Sequence, residues 1–287
     1  MPILDEIYKR ESLTADLDAL TKPVDFGGAN EVKIFKTSMV GLGNYGRNTG
    51  YPVGDVTGAW ETIQLTKERG REFNVDRMDN EETLGMAFGS LAGEFMRTQV
   101  VPEVDATRFA IWADGAGQEV DTPEVLNKDT VLAAIDAANE ALDAAEVPQE
   151  GRLLYASDSV WNMLKGAVTR SLGNEQAADR RLTTLDGVPI RMVPQTRFKT
   201  AITLNPGSSS SAGGFAPAVG AQDINFLLLH RTARDQATKL AIPKIFDPDT
   251  NQDMDAWKFQ FRLYHDAWVY DNKATGIYLH MKPGESA

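Results

Sequence analysis

The run Gly41-Leu42-Gly43-Asn44-Tyr45-Gly46 has the glycine spacing that cradles a dinucleotide pyrophosphate, and it follows a strand-like stretch. That chemistry needs a helix to begin at the last glycine, so that its free N–H groups meet the phosphates. The next residues, Arg47-Asn48-Thr49-Gly50-Tyr51-Pro52, cannot start one. Glu61 falls near the offset of a ribose-binding carboxylate, but no strand–helix–strand unit joins it to the glycines. A nucleotide-binding enzyme using Gly41–Gly46 therefore stands only as an alternative; a glycine-rich loop tip is the reading preferred here.

The other candidates reduce to structure in the same way. Asp247-Pro248-Asp249-Thr250-Asn251 opens like a calcium loop, but Gln252 replaces the required glycine and Lys258 stands where the bidentate acid belongs. A polar turn between strands accounts for it. His230, His265 and His280 are scattered without metal-ligand spacing. Asp76, Asp79, Glu81 and Glu82 are dense, yet helix capping and the helix dipole explain them without a metal. Ser208–Ser211 is a low-complexity loop, and neither a nucleophile elbow nor a phosphate-binding Walker sequence occurs. No catalytic, cofactor-binding or metal-binding residue is predicted, and the chain is not expected to be an enzyme.

Bulk properties narrow the class further. The chain has 287 residues, 42% hydrophobic and 24% charged, an ordinary globular profile. It has no cysteine, which removes disulfides and thiolate chemistry. No run approaches the roughly 18 apolar residues of a membrane span, and the charged start, Met1–Ser12, has no secretory signal character. Acidic residues outnumber basic ones by 41 to 29, a net charge of −12. A protein that grips DNA through phosphates shows the opposite balance, so any nucleic acid here would be enclosed and weakly contacted.

Positioning elements follow from periodicity. Residues 1–30 read as an arm detached from the body, with Ile3, Leu4, Ile7 and Leu13, Leu17, Leu20 at helical spacing before Pro23 and Gly27-Gly28. Residues 31–76 read as one extended two-stranded ribbon. Its strands are EVKIFKTSMV and ETIQLTKERGREFNV, and the connection between them holds six glycines in eighteen residues. A lone hairpin is marginal in water, so this one is expected against a neighbour. Asp79 as N-cap and Glu82 predict a helix over 80–101, with Leu84, Phe88, Leu91 and Phe95 on one face and Pro102 as its stop. An Ala-rich helix follows with Val131, Leu132, Ile135, Ala138 and Leu142 inward, then a strand at 152–156 and a helix near 159–169. Strands are predicted at 187–193 and 224–230, the latter continuously apolar and hence buried on both faces. Alternation of Trp257, Phe259, Phe261 and Leu263 against Lys258, Gln260 and Arg262 predicts a last long strand, returned as a hairpin by Ile277, Leu279 and Met281.

Residues 71–109, REFNVDRMDNEETLGMAFGSLAGEFMRTQVVPEVDATRF, resemble a segment of tailed-bacteriophage major capsid proteins. There, a strand ends at a motif matched by Phe73, Val75, Asp76, Asp79, Glu82 and Thr83. The helix that follows leaves through one matched by Val101, Pro102, Glu103, Asp105 and Arg108. The stretches at 41–70 and 242–280 resemble the extended loop and closing sheet of the same family, so the likeness covers most of the chain.

The resemblance implies an α+β, Hong Kong 97 phage-like fold. It divides into an arm (1–30), an extended loop (31–76), a peripheral domain with the spine helix (77–125 and 236–287) and an axial domain (126–235). It implies a structural subunit assembling into pentamers and hexamers of an icosahedral virion shell around double-stranded DNA, built in the host bacterial cytoplasm and joined by a portal protein. Some members carry a cleaved N-terminal scaffolding segment. The ribbon begins near residue 31, which leaves no room for one and implies a separate scaffold protein or none. Lys33, Lys36 and Lys67 flank the ribbon, but nothing selects a crosslinking partner. An encapsulin-type compartment of the same fold is the nearest alternative, and a tail or adhesin protein a further one.

Overall fold

The computed structural model describes residues 12–18, 31–82, 86–120, 122–167, 184–208 and 212–284. The expectations placed on Ile3, Leu4, Ile7, Leu20, Thr83 and Leu84 lie outside them. Strands β1 (Glu31–Met39) and β2 (Val56–Gln64) are followed by β3 (Lys67–Asp76), α1 (Arg77–Glu82) and α2 (Met86–Phe95). A π-helical turn at Met96–Val100 leads into α3 (Val101–Asp114). Next come β4 (Gln118–Glu119), α4 (Val131–Ala144), β5 (Arg152–Ser157), α5 (Asp158–Ala167), β6 (Thr184–Leu185) and β7 (Val188–Val193). The chain ends with β8 (Ile202–Leu204), β9 (Phe215–Pro217), β10 (Ile224–His230), β11 (Arg234–Phe246), β12 (Ala256–Val269) and β13 (Ile277–Met281).

A mixed six-stranded sheet, β4-β13-β10-β5-β7-β6, carries the main core. Its central strand β10 is buried at all seven positions: Phe226–Leu229 as a continuous apolar run, and Asn225 by donating to the Glu124 and Met281 carbonyls. Alternate side chains serve opposite faces. Tyr155, Leu227 and Leu229 meet Phe109, Trp112 and Ala113 of α3, whereas Leu154, Ala156, Phe226 and Leu228 meet Ile135, Ala138 and Leu142 of α4 and Val160 and Leu164 of α5. Val131, Ile135, Ala138 and Leu142 are buried as the helical spacing predicts, with Leu132 partly covered beside them.

A second sheet, β11-β12-β3, is antiparallel throughout. Phe259, Phe261 and Leu263 form its apolar face, the predicted alternation, and Phe73 joins them from β3. Leu91, Phe95, Met96, Val100 and Val104 of the long helical run cover that face. Phe95 is the pivot, edge-on to Phe73 at 4.9 Å between ring centroids, to Phe261 at 6.2 Å and to Phe259 at 6.3 Å.

Four expectations are corrected. The ribbon ends at Gln64: β1 pairs only with β2, and β3 pairs with β12, so residues 67–76 belong to the second sheet. The helix opens at Arg77, where the Asp76 carboxylate accepts the Met78 N–H at 2.9 Å; Asp79 sits in the first turn instead of capping it. Pro102 does not stop the helix. It occupies the first turn of α3, where its missing N–H has no intrahelical partner to lose, and the π turn just before it resets the hydrogen-bond ladder. The chain stays helical to Asp114. Finally, Ile277–Met281 does not fold back on β12. Both edges of β12 are taken, so a 3₁₀ turn at Asp271–Gly276 hands β13 across to β10 in the other sheet.

This packing predicts an asymmetry. Leu228→Ala, at 0% exposure, should cost about 2–5 kcal/mol in urea unfolding of the monomeric chain. Ile245→Ala, at 57% exposure, should stay within about 0.5 kcal/mol of the parent. Equal costs would place the core elsewhere.

Candidate assembly surfaces

The residues singled out for chemistry are dispersed over the fold. Gly41–Gly46 lies between β1 and β2, and the next described helix begins only at Arg77. Gly46 and Gly50 close a tight turn by exchanging backbone hydrogen bonds, with Gly50 at φ +79°, and the Tyr45 and Tyr51 rings meet at 4.9 Å. Glu61 is held by Lys36 at 2.5 Å. Asp247 accepts the Thr250 N–H at 2.8 Å; the Thr250 hydroxyl and N–H bound to it hold its carboxyl below the usual range. Asp249 pairs with Arg77 at 2.8 Å. His230 donates from Nε2 to the Glu150 carbonyl at 2.9 Å and lies beside the Thr232 hydroxyl, also at 2.9 Å. His265 and His280 are each about 1% exposed, on different sheets. Among the described residues no three His, Asp or Glu side chains are placed to hold a metal ion. A cleft of about 380 Å³ lies between the helical run and the second sheet, lined by Phe73, Phe95 and Phe261. Its charged pair, Arg69 and Glu103, is closed on itself at 2.6 and 3.2 Å.

Residues Ser12–Asp18 form a dock that overturns the picture of a detached arm for this stretch. Asp105 of α3, wholly buried, accepts hydrogen bonds from Ser12 Oγ at 2.9 Å, Leu13 N at 3.0 Å, Thr14 Oγ1 at 2.7 Å and Arg197 Nη1 at 3.1 Å. One turn on, Arg108 donates to Thr14 Oγ1 at 2.7 Å and pairs with Asp18 at 2.9 Å. Arg234 and Gln236 of β11 donate to the Leu17 and Thr14 carbonyls, and Leu17 is buried in the main core. The segment therefore ties α3, β11 and the turn after β7 together. Asp105 and Arg108 are among the residues that carry the family resemblance, but spacing alone did not reveal this anchoring role. The available signal was a charged i,i+3 pair set among Ala106, Phe109, Ala110 and Trp112, all buried.

The ribbon is the opposite case. Its root is seated: Val32, Ile34 and Leu65 are buried against Ala237, Tyr264, Trp268 and Tyr270. Its outer half exposes Phe35, Met39, Tyr45, Tyr51, Val56 and Trp60, with Leu42 and Val53 fully open. Monomeric proteins rarely present so much contiguous apolar surface unless something covers it.

The α+β fold as a whole is similar to that of chains from bacteriophage structures, two of them capsids, and resembles the Hong Kong 97 phage-like fold. No protein-family model matches the sequence, and no curated protein is similar to it. The likeness is one of structure. A chain from Mycobacterium phage Che8 superposes with a TM-score of 0.66 at 16% identity, over 97% of this chain and 94% of that one. The capsid structure of the cyanophage P-SCSP1u gives 0.69 at 13% identity over 99% and 91%. The mature capsid of bacteriophage PhiM1 gives 0.67 at 13% identity over 100% and 91%.

Two outcomes are expected from the dock. Asp105→Ala strands Arg197 and the hydroxyls around it, and should cost about 3–5 kcal/mol in urea unfolding; a loss below about 1 kcal/mol, the worth of an ordinary hydrogen bond, would mean the anchor is dispensable. His265 lies behind the dock, where burial, reinforced by the Arg108 charge, pushes its pKa down to about 4. A histidine depressed in the folded state binds fewer protons than the unfolded chain. Its stability contribution is complete above pH 6.5 and lost as pH falls toward 4, roughly 2–3 kcal/mol by pH 4.5. His265→Gln should flatten the stability profile between pH 7 and 4.5; an unchanged slope would assign the loss to other groups.

Proposed function

We propose that this chain is the major capsid protein of a tailed bacteriophage, a structural subunit that self-assembles into pentamers and hexamers of a closed icosahedral shell around double-stranded DNA. The observation that carries the reading is a fold shared over nearly the whole chain with chains from two phage capsids. The exposed apolar ribbon supports it, because such a surface is stable in water only when a neighbour covers it. The two capsids named are those of phages, which favours a virion subunit over a cellular encapsulin compartment.

In this reading residues 1–30 are the arm and 31–64 the extended loop. The peripheral domain is built on the second sheet and the helical run over 67–125 and about 236–276, and the axial domain lies within 126–235. β13 joins the axial sheet from the C-terminal side. Assembly takes place in the host cytoplasm with a separate scaffold protein and a portal. With a net charge of −12, contact with the packaged DNA is weak and confined to a few basic side chains.

Negative-stain electron microscopy of the purified chain, with light scattering for mass, tests this. Closed shells tens of nanometres across are expected, alone or on co-expression with neighbouring genes. Persistent monomers under both conditions would sink the assignment.

A further inference from the structure

The shell reading leaves open which side of the ribbon a neighbour covers, and the strand register decides it. Opposed residues of an antiparallel pair project from the same face. The pairs Lys33↔Thr62, Phe35↔Trp60, Thr37↔Gly58 and Met39↔Val56 therefore define one face, and Val32↔Ile63, Ile34↔Glu61 and Lys36↔Ala59 the other, on which Thr57 follows Ala59 by alternation. The two faces carry their apolar groups at different distances from the root. On the second face Val32 and Ile34 are buried at the root, and further out come Lys36, ion-paired to Glu61 and Asp271, then Ala59 and Thr57. On the first face Lys33 and Thr62 lie at the root, and further out come Phe35, Trp60, Met39 and Val56, exposed to 49, 63, 73 and 68%.

That outer face is built, not incidental. The Phe35 and Trp60 rings touch at 5.1 Å between centroids. The Phe35 ring also lies over Gly58, where an added Cβ would come within 2.5 Å of it. Only glycine lets the ring lie flat across the ribbon at this point.

We infer that a second copy of this chain packs on the face of Phe35, Trp60, Met39 and Val56 and leaves Thr57 and Ala59 uncovered. The ribbon is then held by its own body on one side at the root and by a neighbour on the opposite side further out. Charge argues for a second copy as the occupant. From Thr37 to Trp60 the only charged residues are Arg47 and Asp55, which cancel, whereas the whole chain carries −12. A neutral surface is where an equally acidic copy approaches without repulsion, while a basic partner is drawn to acidic surface elsewhere. Area agrees. The four side chains offer on the order of 400 Å², and Leu42, Tyr45, Tyr51 and Val53 at the tip bring the total toward the roughly 800 Å² per partner of a stable contact.

The chain has no cysteine, so Met39→Cys and Thr57→Cys each supply a single thiol. Both should react alike with maleimide in dissociated subunits. In assembled particles Met39→Cys should slow by at least about tenfold as neighbours exclude water, while Thr57→Cys keeps its subunit rate. A thiol-to-amine crosslinker on Met39→Cys particles made of this chain alone should yield covalent dimers. Unprotected Met39→Cys, equal protection of Thr57→Cys, or intrachain products only would overturn the inference with the shell reading intact. If Met39→Cys itself fails to assemble, Val56→Cys reports on the same face. Failure of the parent chain to form particles is the separate result that removes the shell reading and this inference with it.

Discussion

Asp105 is a side chain without solvent contact, and four donors from two other parts of the chain converge on it. An ionised group in that position is tolerated only when its lone pairs are filled. The arm segment, α3 and Arg197 are thereby locked into one geometry. Arg108, Arg234 and Gln236 extend the lock to β11 and, through it, to the second sheet. The helical run is fixed at both ends of this arrangement: Phe95 sits in the aromatic face of the second sheet, and Phe109 and Trp112 sit in the core of the first. The two sheets are held together by that helix and by the strand that leaves one for the other after Asp271–Gly276.

A rigid body of this kind gives the ribbon something to project from. Its root is buried and ion-paired, and its outer half lies beyond the reach of its own core. An apolar strip in that place is costly in an isolated subunit and favourable in an assembly. In the proposed shell the same division would let a chain of net charge −12 self-associate: charge is spread over the body, and contact would be concentrated on a neutral projection. Screening over about 8–10 Å at physiological salt reduces what repulsion remains.

Much of this was legible in the residues. The largely apolar run at 224–230 and the helical spacing of Val131, Ile135, Ala138 and Leu142 report local burial and agree with the structure. The period-two pattern holds at Phe259, Phe261 and Leu263 but not at its start, where Lys258 is buried and Trp257 half-buried. The errors concern pairing. Nothing local distinguishes a strand that continues a ribbon from one that joins another sheet, so residues 67–76 read as ribbon although they pair with β12. The return of Ile277–Met281 failed for the same reason, because edge occupancy is a property of the whole sheet. Pro102 misled because a proline signals a stop only where the preceding ladder is α-helical, and here it is π. Gly41–Gly46 lies in the loop between β1 and β2, as its composition suggests, while the polar dock at Asp105 carries only the faint signal of two charges on a core-facing helix.

The central claim is that the outer half of the ribbon is completed by neighbours and by nothing in its own subunit. Hydrogen–deuterium exchange on dissociated and assembled protein addresses it most directly. The account predicts that amides of residues 37–60 exchange rapidly in the subunit and become protected in the shell, while those of β10 are protected in both states. Protection of 37–60 already in the isolated subunit, or none in the shell, would contradict it.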